Sequence, residues 1–111
     1  MTYNVQIGYR VWKEEGFEFH RKHVGTVDTE TPDTYFGILT MDGKEYKSTE
    51  IRKGIIDLMS KELNGFMDAL VIIVGDVMFH GMEAIEALTE VADGCYSPYE
   101  IAIAYNGDLL D

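Results

Sequence analysis

Hydrophobic and polar positions alternate from Tyr3 to Val11: Tyr3, Val5, Ile7, Tyr9 and Val11 share one face, and Asn4, Gln6, Gly8 and Arg10 share the other. A period of two marks a strand with one buried side. Lys13–Gly16 reads as a turn, with Gly16 free to take positive φ. Phe17 to about Val24 then returns as an antiparallel strand. The Gly25–Thr34 segment neither alternates nor repeats at helical spacing, which predicts a surface loop. Next comes a hairpin, Tyr35–Met41 and Lys44–Ser48 around Asp42-Gly43, the dipeptide that a type I′ turn favours. Its register should set Leu39 opposite Tyr46 and Thr40 opposite Glu45.

The period then changes. Ile51, Ile55, Leu58, Met59 and Leu63 recur at three and four residues, predicting an amphipathic helix capped by Ser48 or Thr49 and stopped at Asn64-Gly65. Ala69–Val74 is a short apolar run, read as a strand buried on both faces, although periodicity alone leaves a buried helix open. Gly75-Asp76 should end it, with Asp76 capping a second helix to about Ala92 and Asp93-Gly94 stopping that helix. Gly81, inside this span, would serve close packing or mark a later helix start. Tyr99, Ile101, Ile103 and Tyr105 alternate as a final strand, and Asn106-Gly107 would fold the last four residues back as an edge strand. Strand, helix and strand from Ala69 to Tyr105 would form a right-handed parallel crossover. The expected architecture is α+β, a mainly antiparallel sheet with two helices on one face, in the order ββββαβαβ. It is one compact domain over residues 1–111, a length that supports a single core.

Composition sharpens this picture. With 46% hydrophobic residues the chain has material for a core, so its net charge of −11 does not imply disorder. The charge is unevenly placed. From Glu62 to Asp111 there is no Lys or Arg, while ten carboxylates occur. Residues 1–61 are nearly balanced, with nine basic and ten acidic side chains, and their one concentrated basic patch is His20-Arg21-Lys22-His23. Such an acidic surplus repels anionic membranes and nucleic acid and attracts basic partners. No apolar run approaches the ~20 residues that span a bilayer. A single cysteine and an N-terminus without a signal-like pattern point to a reducing cytoplasm.

Catalytic motifs are weak. His20 and His23 form an H-x-x-H pattern, but residues three apart on a strand face opposite ways, so no metal site is expected. Cys95 and His80, with Asp76 to orient the imidazole, would make a thiolate–imidazole pair only if the fold brought them together. Val71–Asp76 followed by a helix resembles the strand–loop–helix units of nucleotide-binding folds, yet lacks their glycines and lysine. Met67, Met78 and Met82 read as core filling. Trp12, Tyr9, Tyr35 and Phe36 divide between strand faces.

The acidic positions remain. Glu83, Glu86, Glu90 and Asp93 recur at three, four and three residues, which stacks them along one helix face. The plain reading is a solvated face. The functional reading is a negative ridge that imitates a phosphate backbone or docks on a basic protein surface, flanked by Asp76, Glu100 and Asp108. The expectation is therefore a small acidic binding protein, not an enzyme and without a cofactor. It would inhibit a nuclease or other nucleic-acid-binding enzyme by occluding its basic surface, without binding nucleic acid or membrane directly. Anti-CRISPR proteins and nuclease immunity proteins share this logic, and the likeness is one of size and charge. The alternatives are a ligand-binding domain or enzyme with a pocket between sheet and helices, using Asp76, His80 and Cys95, or a homo-oligomeric subunit such as a homodimer.

Overall fold

The computed structural model describes residues 2–28, 38–62, 71–93 and 96–110. Two long strands, β1 (Thr2–Lys13) and β2 (Gly16–Asp28), form an antiparallel hairpin around Glu14-Glu15, with Lys13 opposite Gly16. The second strand thus continues through Gly25–Asp28, where a loop was expected. Gly25, Thr26 and Val27 lie opposite β1 residues, and Val27 is fully buried, so pairing and burial outweigh the irregular polarity of that stretch.

The predicted second hairpin is present: β3 (Ile38–Met41) and β4 (Lys44–Lys47) place Leu39 opposite Tyr46 and Thr40 opposite Glu45. Asp42 and Gly43 both have positive φ, as a type I′ turn requires. A 3-10 turn at Ser48–Glu50 leads into α1 (Ile51–Glu62). Its entry is tied down by the Lys47 amide, which donates to the Glu50 carboxylate at 3.3 Å. Residues 29–34 of the expected loop, residues 35–37 of the predicted hairpin strand, the expected stop at Asn64-Gly65, residues 69–70 of the predicted apolar strand and Gly94 of the second helix's expected stop lie outside the described residues.

Beyond this point the order differs from expectation. After β5 (Val71–Val74), Gly75-Asp76 does not start a helix. Gly75 has a φ of +61° and turns the chain into β6 (Val77–His80), which pairs antiparallel with β5. Val77 and Phe79 are fully buried, whereas Met78 is partly exposed and His80 is exposed, the alternation of a strand. Gly81, at a φ of +65°, precedes the second helix, α2 (Glu83–Asp93). The predicted strand at Tyr99–Tyr105 is instead a short helix, α3 (Pro98–Ala102), followed by a turn. Ser97 accepts a hydrogen bond from the Glu100 amide and Pro98 begins the helix, so capping overrides the alternation of Tyr99, Ile101, Ile103 and Tyr105. The folded-back edge strand does form, as β7 (Asp108–Leu109), but its partner is β6.

All described strand pairs are antiparallel, in the order β4-β3-β2-β1-β5-β6-β7, so the parallel crossover is absent among the described residues. The protein is an α+β fold with a seven-stranded antiparallel sheet and its helices on one face. Val5, Ile7, Leu39, Ile72 and Phe79 join Ile51, Ile55, Ile85 and Leu88 in a single core. Burial of such side chains contributes roughly 1.5–3 kcal/mol each, relative to leaving them exposed.

β1 pairs with β5 only over Val5–Gly8, and β2 with β3 only over Gly25–Asp28. The Tyr9–Lys13 and Gly16–His20 halves of the hairpin pair with each other beyond those contacts, forming an arm about 17 Å long at the usual strand rise.

Candidate functional site

Helix α2 buries Ala84, Ile85, Ala87, Leu88, Val91 and Ala92, so its register turns Glu83, Glu86 and Glu90 to solvent. The three span about 10 Å of helix axis. Asp93, expected to be the fourth member, is half-buried, and its Oδ1 has no hydrogen-bond partner among the described residues. No basic residue on α2 relieves the repulsion, but α1 supplies one: Arg52 Nη1 lies 3.3 Å from Glu86 Oε1.

The three glutamates act on a common point. Burial pushes the Tyr105 phenol above its usual range, and the charges of Glu90, Glu86 and Glu83 push it further in the same direction. A phenolate there would meet their combined negative field.

The remaining predicted positions lie on other elements. Asp76, in the β5–β6 turn, accepts a hydrogen bond from the Tyr99 hydroxyl at 3.1 Å, and this bond is the main cause that raises the Tyr99 phenol. Glu100 is exposed on α3, with its amide committed to the Ser97 cap. Asp108 Oδ2 is 2.6 Å from His80 Nε2, an exposed pair that links β7 to β6. Asp108 faces away from the helices, because it aligns through Met78 and Ile73 with Gln6. Glu83, Glu86 and Glu90 therefore form the ridge, and Asp76 and Asp108 belong to separate local pairs.

The pocket alternative gains no support from placement. Asp76 lies in the turn before β6 and His80 ends that strand, about 13 Å away at the strand rise. Cys95 lies outside the described residues. A cleft between the β3–β4 hairpin and α1, lined by Met41, Tyr46, Gly54, Leu58 and Lys61, has a volume of about 150 Å³. A wider, open groove of about 530 Å³ lies beside it along Lys44, Glu45, Glu50, Lys53 and Asp57, and neither hollow is lined by Asp76 or His80. Among the described residues, no three His, Cys, Asp or Glu side chains are grouped to hold a metal ion, and no helix is long and apolar enough to cross a membrane.

A second surface was not anticipated. On the arm, Trp12 lies opposite Phe17 and Arg10 opposite Phe19, so all four side chains share the sheet face without helices. Trp12 and Phe17 meet edge to face at 5.3 Å, and the Arg10 guanidinium sits 4.7 Å from the Phe17 ring centre. The signal was present: a two-residue turn at Glu14-Glu15 sets Trp12 opposite Phe17, and counting outward from it places the rest. Tyr9 and His20 stack on the other face at 5.7 Å.

Compared with protein-family models, with curated proteins and with solved structures, the chain finds no match in any of the three.

Proposed function

We propose that this protein is a binding protein that docks its α2 ridge on a basic protein surface, inhibiting a nuclease or another nucleic-acid-binding enzyme by covering its nucleic-acid groove. The observation that carries this reading is the set of three exposed carboxylates, Glu83, Glu86 and Glu90, held in fixed register by the buried side of α2. Their joint field at Tyr105 supports it, since charges that act together on one half-buried group also act together on an approaching cation. Complementary charge raises the rate of encounter and selects against acidic surfaces. A rigid helix presents such charges without the ordering cost of an acidic tail.

The test is capture from a lysate at low and high salt, with the wild-type chain and an E86K/E90K variant as bait and mass spectrometry of the bound fraction. A basic nucleic-acid enzyme held by the wild type, released by salt and lost with the variant supports the reading. Equal capture by both baits, or capture insensitive to salt, overturns it.

A further inference from the structure

We infer that the β1–β2 arm is a docking surface for a second copy of this chain, and that it receives the α2 side of its neighbour in a head-to-tail contact. The arm face carries Trp12 at 66%, Phe17 at 50% and Phe19 at 43% exposure, three large aromatic rings in one row. Phe19 extends over Gly8, where an added Cβ would lie 2.3 Å from its ring. The glycine thus lets the row lie flat against the sheet. Beside these rings stand Arg10 and, opposite Gly8, Arg21, while His23 lies opposite Gln6. Among the paired strand residues of this face of the arm none is acidic: Glu18, paired with Lys13 at 2.8 Å, lies on the other face, and Glu14 and Glu15 form the turn. Exposed aromatic and arginine side chains in one cluster are the composition of an interface centre.

Charge decides the occupant. Neither Arg10 nor Arg21 forms an ion pair with a described residue, and neither do Glu83 and Glu90. Within one molecule these charges cannot meet, since the arm face lies on the sheet side without helices and α2 packs on the other. Between molecules they can. The α2 side also offers an apolar contact for the rings: Ile103, two residues before Tyr105, is 91% exposed. Because the two surfaces lie on opposite sides of the sheet, the contact is heterologous and leaves a free arm at one end and a free ridge at the other. The inference shares the ridge with the proposed inhibitor reading and adds the arm, which that reading does not use.

Sedimentation velocity over a wide concentration range tests it with three proteins: the wild type, R10E/R21E and E83K/E90K. All four positions are exposed, and circular dichroism verifies that each variant is folded. The expected result is a wild-type mass that rises with concentration at low salt and falls on adding salt. Each variant alone should associate at least about tenfold more weakly, and mixing the two should restore association because each supplies the surface the other has lost. A wild type that stays monomeric, an arm variant that associates as well as wild type, or a mixture without rescue overturns the inference. Capture of a basic enzyme by R10E/R21E is expected to persist, which separates failure of this contact from failure of the inhibitor reading.

Discussion

Arg52 on α1 reaches across to Glu86 on α2, with 3.3 Å between Nη1 and Oε1. It is the cation that the described structure places against the ridge, and it comes from the half of the chain in which basic residues occur. Both side chains are more than half exposed, so the pair contributes no more than about 1 kcal/mol to stability. R52A should leave the melting temperature nearly unchanged. It should also delay elution from an anion exchanger more than K53A does, because only R52A uncovers a ridge charge. Equal delays would show that Arg52 does not mask the ridge.

Tyr105 offers a readout of the ridge that needs no partner. Its phenol is raised first by burial and then by Glu90, Glu86 and Glu83. E90Q should lower the phenolate midpoint toward the ordinary value, and R52A should raise it by freeing the charge of Glu86. Absorbance titration of these variants, with Y105F subtracted, measures both changes. A midpoint indifferent to E90Q would mean that burial alone sets it.

The same shift makes stability depend on alkaline pH. Folded Tyr99 and Tyr105 hold their protons more tightly than the unfolded chain does, whose phenols ionise near the ordinary value of 10.0. Their contribution is present in full below that value and is lost as pH rises through the raised folded values. Urea midpoints should fall over that range, and less steeply in a Y99F/Y105F double variant.

The parts legible in the sequence were those in which local pattern and tertiary role agree. Asp42-Gly43 fixed the register of Leu39 and Tyr46, and the α2 glutamates follow from the buried stripe Ile85, Leu88 and Ala92. The errors cluster where two local signals compete. Gly75-Asp76 serves equally as a strand end with a helix cap and as a two-residue turn; the left-handed Gly75 and the burial of Val77 and Phe79 select the turn. At Tyr99–Tyr105 an apolar alternation competes with the Ser97-Pro98 helix start, and the cap prevails. The His80–Asp108 pair was out of reach, because it depends on β7 pairing with β6.

Acid should loosen the arm. The Lys13 ammonium, and after it His20, hold the Glu18 carboxyl below the ordinary glutamate value of 4.5. A carboxyl lowered in the folded state stabilises above its unfolded value, and that contribution disappears as pH falls through the folded one. Trp12 is the chain's single tryptophan and packs on Phe17 at the arm's end, so its fluorescence reports the change. The emission should shift on acidification in the wild type and already be shifted at neutral pH in E18Q. An E18Q spectrum identical to wild type at every pH would rule out this link.

Gly25 and Gly8 predict opposite outcomes for the same substitution. An added Cβ at Gly25 would lie 1.6 Å from the carbonyl oxygen of Thr40, a backbone atom of β3, so β3 must move away from β2. At Gly8 the obstacle is the Phe19 ring, at 2.3 Å, and that ring is the end of a rotatable, half-exposed side chain. Overpacking costs typically about 1–3 kcal/mol. G25A should fall at or beyond the upper end because backbone cannot rotate aside, and it should separate the β3–β4 hairpin and α1 from the sheet. G8A should cost less than about 1 kcal/mol and instead turn Phe19 out of the aromatic row. Chemical denaturation orders the two variants, and sedimentation of G8A at low salt shows whether a disordered row weakens self-association while the fold remains intact.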